Sequence, residues 1–226
     1  MHRRIFYCVG VALLSLGATA NATTFTFNQD PFAGTNVLNV PGRQIIGGED
    51  FISFTPSLDV FSLDSTVFGT GSTVNFVNSS AAGIPASGAN VIVLENFDDD
   101  NNPLTPFGAG NAANLIANQI TTPGAGFFIY FNQSLDLPRL VYSTDLSSTD
   151  ADLKILARML NLNGANGRNA LANFTAANFQ FTSDAAQAPE PSSLSMILGV
   201  ALIGAGCLQL RKHNSRNREE SSTKPE

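Results

Sequence analysis

Hydrophobic and polar residues alternate in short runs along the first half of the chain. In Thr24-Phe25-Thr26-Phe27 and Val60-Phe61-Ser62-Leu63 every second residue is apolar, which is the period of a strand with one buried and one wet face. Strands are predicted over 23–27, 51–55, 59–63, 73–77 and 90–95, then over 126–131, 140–143 and 178–182. Gly47-Gly48, Gly69-Thr70-Gly71 and Pro85-Ala86-Ser87-Gly88 separate them as turns. A helical period is rarer. Leu153, Leu156, Ala157 and Leu160 fall at i, i+3, i+4 and i+7, with Ser148 or Thr149 able to cap and Gly164 able to stop, so a helix is predicted over 150–162. Asp150 and Asp152 suit its positive end. Shorter helices are predicted over 112–119 and 169–177. Many short strands with one to three short helices point to a mainly β fold, an antiparallel β-sandwich-like domain.

Two unbroken apolar runs lie outside this pattern, one at each end. Arg3 and Arg4 precede the run over 5–16, which is shorter than the roughly 20 residues that a hydrocarbon core requires. Ala18-Thr19-Ala20 and Ala20-Asn21-Ala22 both fit a signal-peptidase site, so residues 1–22 read as a cleaved export signal with the mature chain starting near Asn21 or Thr23. The arginine pair partly matches a twin-arginine signal, but the rest of that motif is missing, which favours general secretion. The second run covers 194–210. As a helix it would reach about 25 Å, close to the roughly 30 Å of a bilayer core, so it reads as a transmembrane span helped by its flanks. Arg211, Lys212, Arg216 and Arg218 follow it, and such a basic run favours the cytoplasmic side, leaving the bulk of the chain outside. Residues 219–226 form a polar tail.

Just before this span stands Pro189-Glu190-Pro191. A Pro-Glu-Pro triplet, a short apolar span and a basic tail, together covering 188–218, closely resemble the PEP-CTERM sorting signal of exported bacterial proteins. The resemblance implies recognition and processing by an exosortase-like membrane enzyme, in a host that makes extracellular polysaccharide. It implies initial anchoring in the inner membrane, then release to the cell surface or matrix. It covers nothing of the domain between the two signals.

That domain, 23–187, is long enough for one proper core. It holds five basic residues, Arg43, Arg139, Lys154, Arg158 and Arg168, against fourteen acidic ones, a net charge of −9. Nucleic-acid binding would need clustered cations, so this partner class is excluded. His2, His213, Cys8 and Cys207 all lie in the terminal segments, and the chain has no Trp. Disulfides, Ser-His-Asp or Cys-His nucleophilic sites, and imidazole or thiolate metal sites are therefore excluded from the domain. Carboxylate-only chemistry, as in glycoside hydrolysis, stays open, although the sequence singles out no pair. Asp98, Asp100 and Asn102 alternate like the opening of a calcium loop. Pro103 at the sixth position and Ala109 at the twelfth depart from the EF-hand, and a solvated acidic turn is the competing reading. No other cofactor is expected. An Asn- and Thr-rich surface offers amides and hydroxyls that match those of hydrated polysaccharide. The expected function is that of a non-enzymatic, exported surface or matrix protein associated with exopolysaccharide or biofilm; the alternative is a secreted carboxylate-dependent glycosidase.

Overall fold

Residues 21–102 and 104–183 are described in a computed structural model. In chain order they form β1 (Thr24–Phe27), β2 (Ile45–Ile46), β3 (Asp50–Ile52), β4 (Val60–Asp64), α1 (Ser65–Phe68), β5 (Phe76–Ser79), β6 (Val91–Leu94), α2 (Ala109–Ala117), β7 (Gly126–Asn132), β8 (Leu137–Ser143), β9 (Leu153–Met159), α3 (Gly164–Ala170) and β10 (Phe179–Thr182). The export signal over 1–22, apart from residues 21 and 22, lies outside the described residues, as do the Pro189-Glu190-Pro191 motif, the span over 194–210 and the basic tail. Among the described residues no helix is long and apolar enough to cross a membrane.

The mainly β expectation holds, but the antiparallel one does not. A small sheet in the order β1-β4-β10 is parallel throughout. A seven-stranded sheet runs β2-β9-β8-β7-β6-β5, with β3 also paired to β9. Only β7-β8 and β8-β9 are antiparallel; β5-β6-β7 are parallel, and β2 and β3 run parallel to β9. Parallel neighbours need a crossover, and α2 supplies the one between β6 and β7. The sign of this arrangement in β6 and β7 is the continuous apolar run of strands covered on both faces; β4 keeps its alternation, yet Ser62 and Asp64, on the face expected to be wet, are buried. Val91-Ile92-Val93-Leu94 is fully buried, as is Phe127-Phe128-Ile129-Tyr130-Phe131.

Successive residues of those runs feed two cores. Val91, Val93, Phe127, Ile129 and Phe131 face the small sheet and meet Phe25, Phe27, Phe61, Leu63, Phe179 and Phe181. Phe54 stacks on Phe61 with ring centroids 4.2 Å apart, and Phe174 stacks on Phe54 at 5.4 Å. Ile92, Leu94, Phe128 and Tyr130 face the other way, against Ala112, Ala113 and Ile116 of α2. Each such side chain taken from water contributes about 1.5–3 kcal/mol, and no cross-link supplements them in a domain without cysteine.

The helix expected over 150–162 is instead the strand β9, and a bulge explains the misleading period. The β8 partners skip Leu156: Leu140 pairs with Ala157, but Val141 pairs with Ile155. An extra residue in one strand reverses which face the following side chains occupy. Leu153 and Ile155 therefore join the core under α2, while Leu156, Ala157 and Met159 join the core between the sheets. The resulting sequence of apolar residues imitates a helical stripe. The other expected helices shift: 112–119 becomes α2, and 169–177 becomes the end of α3 followed by two single turns of 3-10 helix. Gly164, expected as a stop, opens α3.

Candidate functional site

A cleft of about 310 Å³ opens where the chain leaving β1 passes the connection between β2 and β3. One wall is the turn after β1. Phe32 is buried near Tyr142, and the Asp30 carboxylate accepts a hydrogen bond from the Phe32 amide at 2.9 Å. Thr35 closes the same turn by donating its hydroxyl to the Phe32 carbonyl at 2.6 Å. Asn28, Gln29 and Asp30 are thereby presented along an anchored segment. Burial, and then the nearby Asp30 charge, push the Tyr142 hydroxyl up to about 12, so it stays a neutral donor to the Phe68 carbonyl.

The opposite wall is Gly48 and Asp50, with Lys154 of β9 beside them. The Lys154 ammonium donates to the Gly47 carbonyl at 2.7 Å. Gly48 has φ +87°, a left-handed conformation that side-chain-bearing residues avoid, and a Cβ there would lie 3.5 Å from the Lys154 Nζ. Asp50 is fixed by its register opposite Ala157 and by its neighbour Glu49. Phe27, Pro31, Ala33, Ile155, Leu156 and the nearly enclosed Phe68 contribute the apolar part of the lining.

Glu49 points into a separate charged cluster. Its carboxylate pairs with both Arg139 and Arg158, and its side chain is only 5% exposed. Burial alone would raise its pKa, but hydrogen bonds from its backbone amide, Arg158 and Arg139 outweigh burial and hold the carboxyl at about 2. Arg158 also lies over the Phe51 ring at 5.3 Å, and Arg139 reaches the Tyr130 hydroxyl at 3.4 Å. Since Glu49 and Asp50 are adjacent, this cluster clamps the strand end that carries the Asp50 wall.

All five basic residues of the domain are engaged internally. Arg43 donates to the carbonyls of Gly110, Ser148 and Ala151 and to the Asn114 side chain, tying α2 to the loop before β9. Arg168 lies over Phe131 at 5.2 Å and over Phe97 at 5.6 Å. Together with Lys154 on Gly47 and the two arginines on Glu49, this leaves no basic patch among the described residues.

The acidic loop follows β6, at the carboxyl end of the parallel strands. Asp98, Asp99 and Asp100 offer oxygens within 4.8 Å of one another, so the structure places Asp98 and Asp100 together with Asp99. Asn102 takes a different part: its side-chain oxygen accepts from the Leu104 amide. The turn already employs the carboxylates. Asp98 accepts from the Asp100 and Asn101 amides, Asp99 from the Asn111 side chain, and Asp100 from the Asn102 amide and the Thr105 hydroxyl. The Thr105 hydroxyl, then the Asn102 amide, lower the pKa of Asp100. The arrangement is a series of Asx turns.

The cleft residues Asp30, Asp50 and Lys154 carry no joint signature in the sequence. They come from three segments, and the misread β9 concealed the third. No family model, curated protein or solved structure matches the chain.

Proposed function

We propose that this chain is an exported, non-enzymatic surface or matrix protein whose β domain binds hydrated polysaccharide in the cleft between β1 and β3. The observation that carries the reading is the lining of that cleft, where amide and carboxylate side chains stand beside phenyl rings. Sugar rings present hydroxyl edges and less polar C–H faces, so a site with both kinds of wall suits them. Its volume, about 310 Å³, lies at the small end of the range for ligand pockets, about 300–1,000 Å³, which suits one or two units of a longer chain. A glycan-binding screen on the domain over 23–187 tests it: retention of at least one polysaccharide class, lost on Asn28→Ala with Gln29→Ala, is expected. Failure to bind any glycan removes the proposal.

Delivery follows the sorting signal. The chain is exported through 1–22, anchored by 194–210, and processed near Pro189-Glu190-Pro191 by an exosortase-like enzyme that reads the tail ending at Arg218. Intact mass of the exported protein from a host with that enzyme is expected to end near Pro189–Pro191, and retention of 194–226 would rule processing out.

One observation favours the second reading, a carboxylate-dependent glycosidase: Asp30 and Asp50 reach the same cleft from different walls. Two carboxylates across a sugar-sized site are the minimum for glycoside hydrolysis. Reducing-sugar release, abolished by Asp30→Asn or Asp50→Asn, would establish it. Binding without release supports the first reading.

A further inference from the structure

The charges of the cleft specify the glycan further, given the polysaccharide reading above. We infer that the cleft selects an amino sugar with a free, protonated amine, as in a deacetylated hexosamine polymer, with Asp50 as the ammonium acceptor and Asp30 adding its charge from the other wall.

The first argument is the sign of the surface. A uronate, pyruvylated or sulfated polymer needs several cations, and of the five that the domain has only Lys154 lines the cleft, Arg139 and Arg158 being paired with Glu49 and Arg43 and Arg168 being held on carbonyls and aromatic rings elsewhere. Fourteen acidic residues against five basic ones repel such a polymer at long range and attract a cationic one. The second argument is local. Among the described residues the Asp50 side chain accepts no hydrogen bond, and of the described carboxylates that share this property, Asp50, Glu95, Asp136 and Asp150, it alone lines the cleft, whereas Asp59, Asp64 and Asp152 are occupied by backbone amides. Asp30 uses one oxygen on the Phe32 amide and keeps the other. An unpaired acceptor in a cleft forms its strongest bond with a charged donor, N⁺–H to carboxylate. The third argument is the ammonium of Lys154, which lines the same space. It disfavours a bare divalent cation there by repulsion, yet leaves a net negative site for a single ammonium whose hydroxyl neighbours meet Asn28 and Gln29. The Gln29 side-chain amide donates to the Asn28 side-chain oxygen, which leaves the Asn28 amide hydrogens and the Gln29 side-chain oxygen without a partner among the described residues.

The test uses the full-length chain and three oligosaccharides of equal length: a glucosamine oligomer, its N-acetylated form and an oligogalacturonate, compared by calorimetry at low and high salt. The glucosamine oligomer is expected to bind at least tenfold tighter than the N-acetylated one, with affinity falling as salt rises, and the galacturonate not at all. Asp50→Asn is expected to bring the preference close to unity without moving the melting temperature, and Asp30→Asn to reduce it. Equal or tighter binding of the N-acetylated oligomer, or a full preference surviving in Asp50→Asn, would overturn the inference while leaving the polysaccharide reading intact. Binding of none of the three, in a chain that the wider screen also finds inert, would remove both. An oligolysine that binds as tightly as the glucosamine oligomer, with the same loss in Asp50→Asn, would overturn the sugar assignment and leave a site that reads charge alone.

Discussion

At the scale of residues, Glu49 and Phe61 show the two ways this domain uses burial. Glu49 is nearly enclosed yet ionised, because two guanidiniums and a backbone amide favour the charged form more than burial opposes it. Its folded pKa of about 2 lies below the 4.5 of a free glutamate. The stabilisation from Glu49 is therefore complete above about pH 4.5 and lost as the pH falls toward about 2. Urea midpoints measured across that window are expected to fall more steeply for the wild type than for Glu49→Gln, which has no proton to take up. At neutral pH Glu49→Gln is expected to cost about 3 kcal/mol, because it leaves two arginines beside a neutral amide. Phe61 is fully buried in a stack with Phe54. Phe61→Ala is expected to cost about 3–5 kcal/mol in chemical denaturation, since the stacked rings around it cannot collapse into the space. The core role of Phe61 was legible from alternation alone. The role of Glu49 was not, because its two partners lie 90 and 109 residues away.

At the scale of elements, β9 separates what periodicity can decide from what it cannot. The helix and the strand readings make opposite demands on two residues. A helix over 150–162 would set Leu160 on the buried stripe and Ile155 off it; the strand buries Ile155 to 1% exposure and leaves Leu160 at 49%. Ile155→Asp is expected to unfold the domain or cost more than about 3 kcal/mol, and Leu160→Asp to change stability by less than about 1 kcal/mol. Thermal melts of the two variants give the answer, and the reverse order would restore the helix. The bulge at Leu156 defeats a periodicity argument because the reading assumes a constant step between residues, and one inserted residue shifts the phase. Shorter elements failed for a different reason. Strand β2 is two residues long and exists only through pairing with β9, and α3 contains Gly164 and Gly167, residues of low helix propensity. Gly167 is required by contact, since a Cβ there would come within 2.3 Å of the Leu162 carbonyl oxygen. By contrast, α1 carries local signals that a closer reading would find: Asp64 caps it through the Thr66 and Val67 amides, and Gly69 ends it in the left-handed conformation.

At the scale of the whole molecule, stability comes from two apolar cores on either face of one sheet, a phenylalanine-rich one between the sheets and a mainly aliphatic one under α2. A domain without cysteine has no cross-link to lose, so its melting temperature is expected to be the same with and without a thiol reductant, as scanning calorimetry would show. A downward shift on reduction would mean that a covalent link exists which the sequence of 23–187 does not provide. The sequence by itself determined the mainly β character, the buried face of the alternating strands, the absence of imidazole and thiol chemistry from the domain, and the surplus of negative charge. Those properties are local or compositional: alternation reflects the two-residue step of the strand backbone, and residue counts need no coordinates. Only the tertiary structure decided that the strands are largely parallel, that β9 is a strand, and that Asp30, Asp50 and Lys154 line one cleft. The choice of strand partner depends on which apolar faces fit together across more than a hundred residues of chain, and hydrogen bonds between strands leave no imprint on the residues that make them.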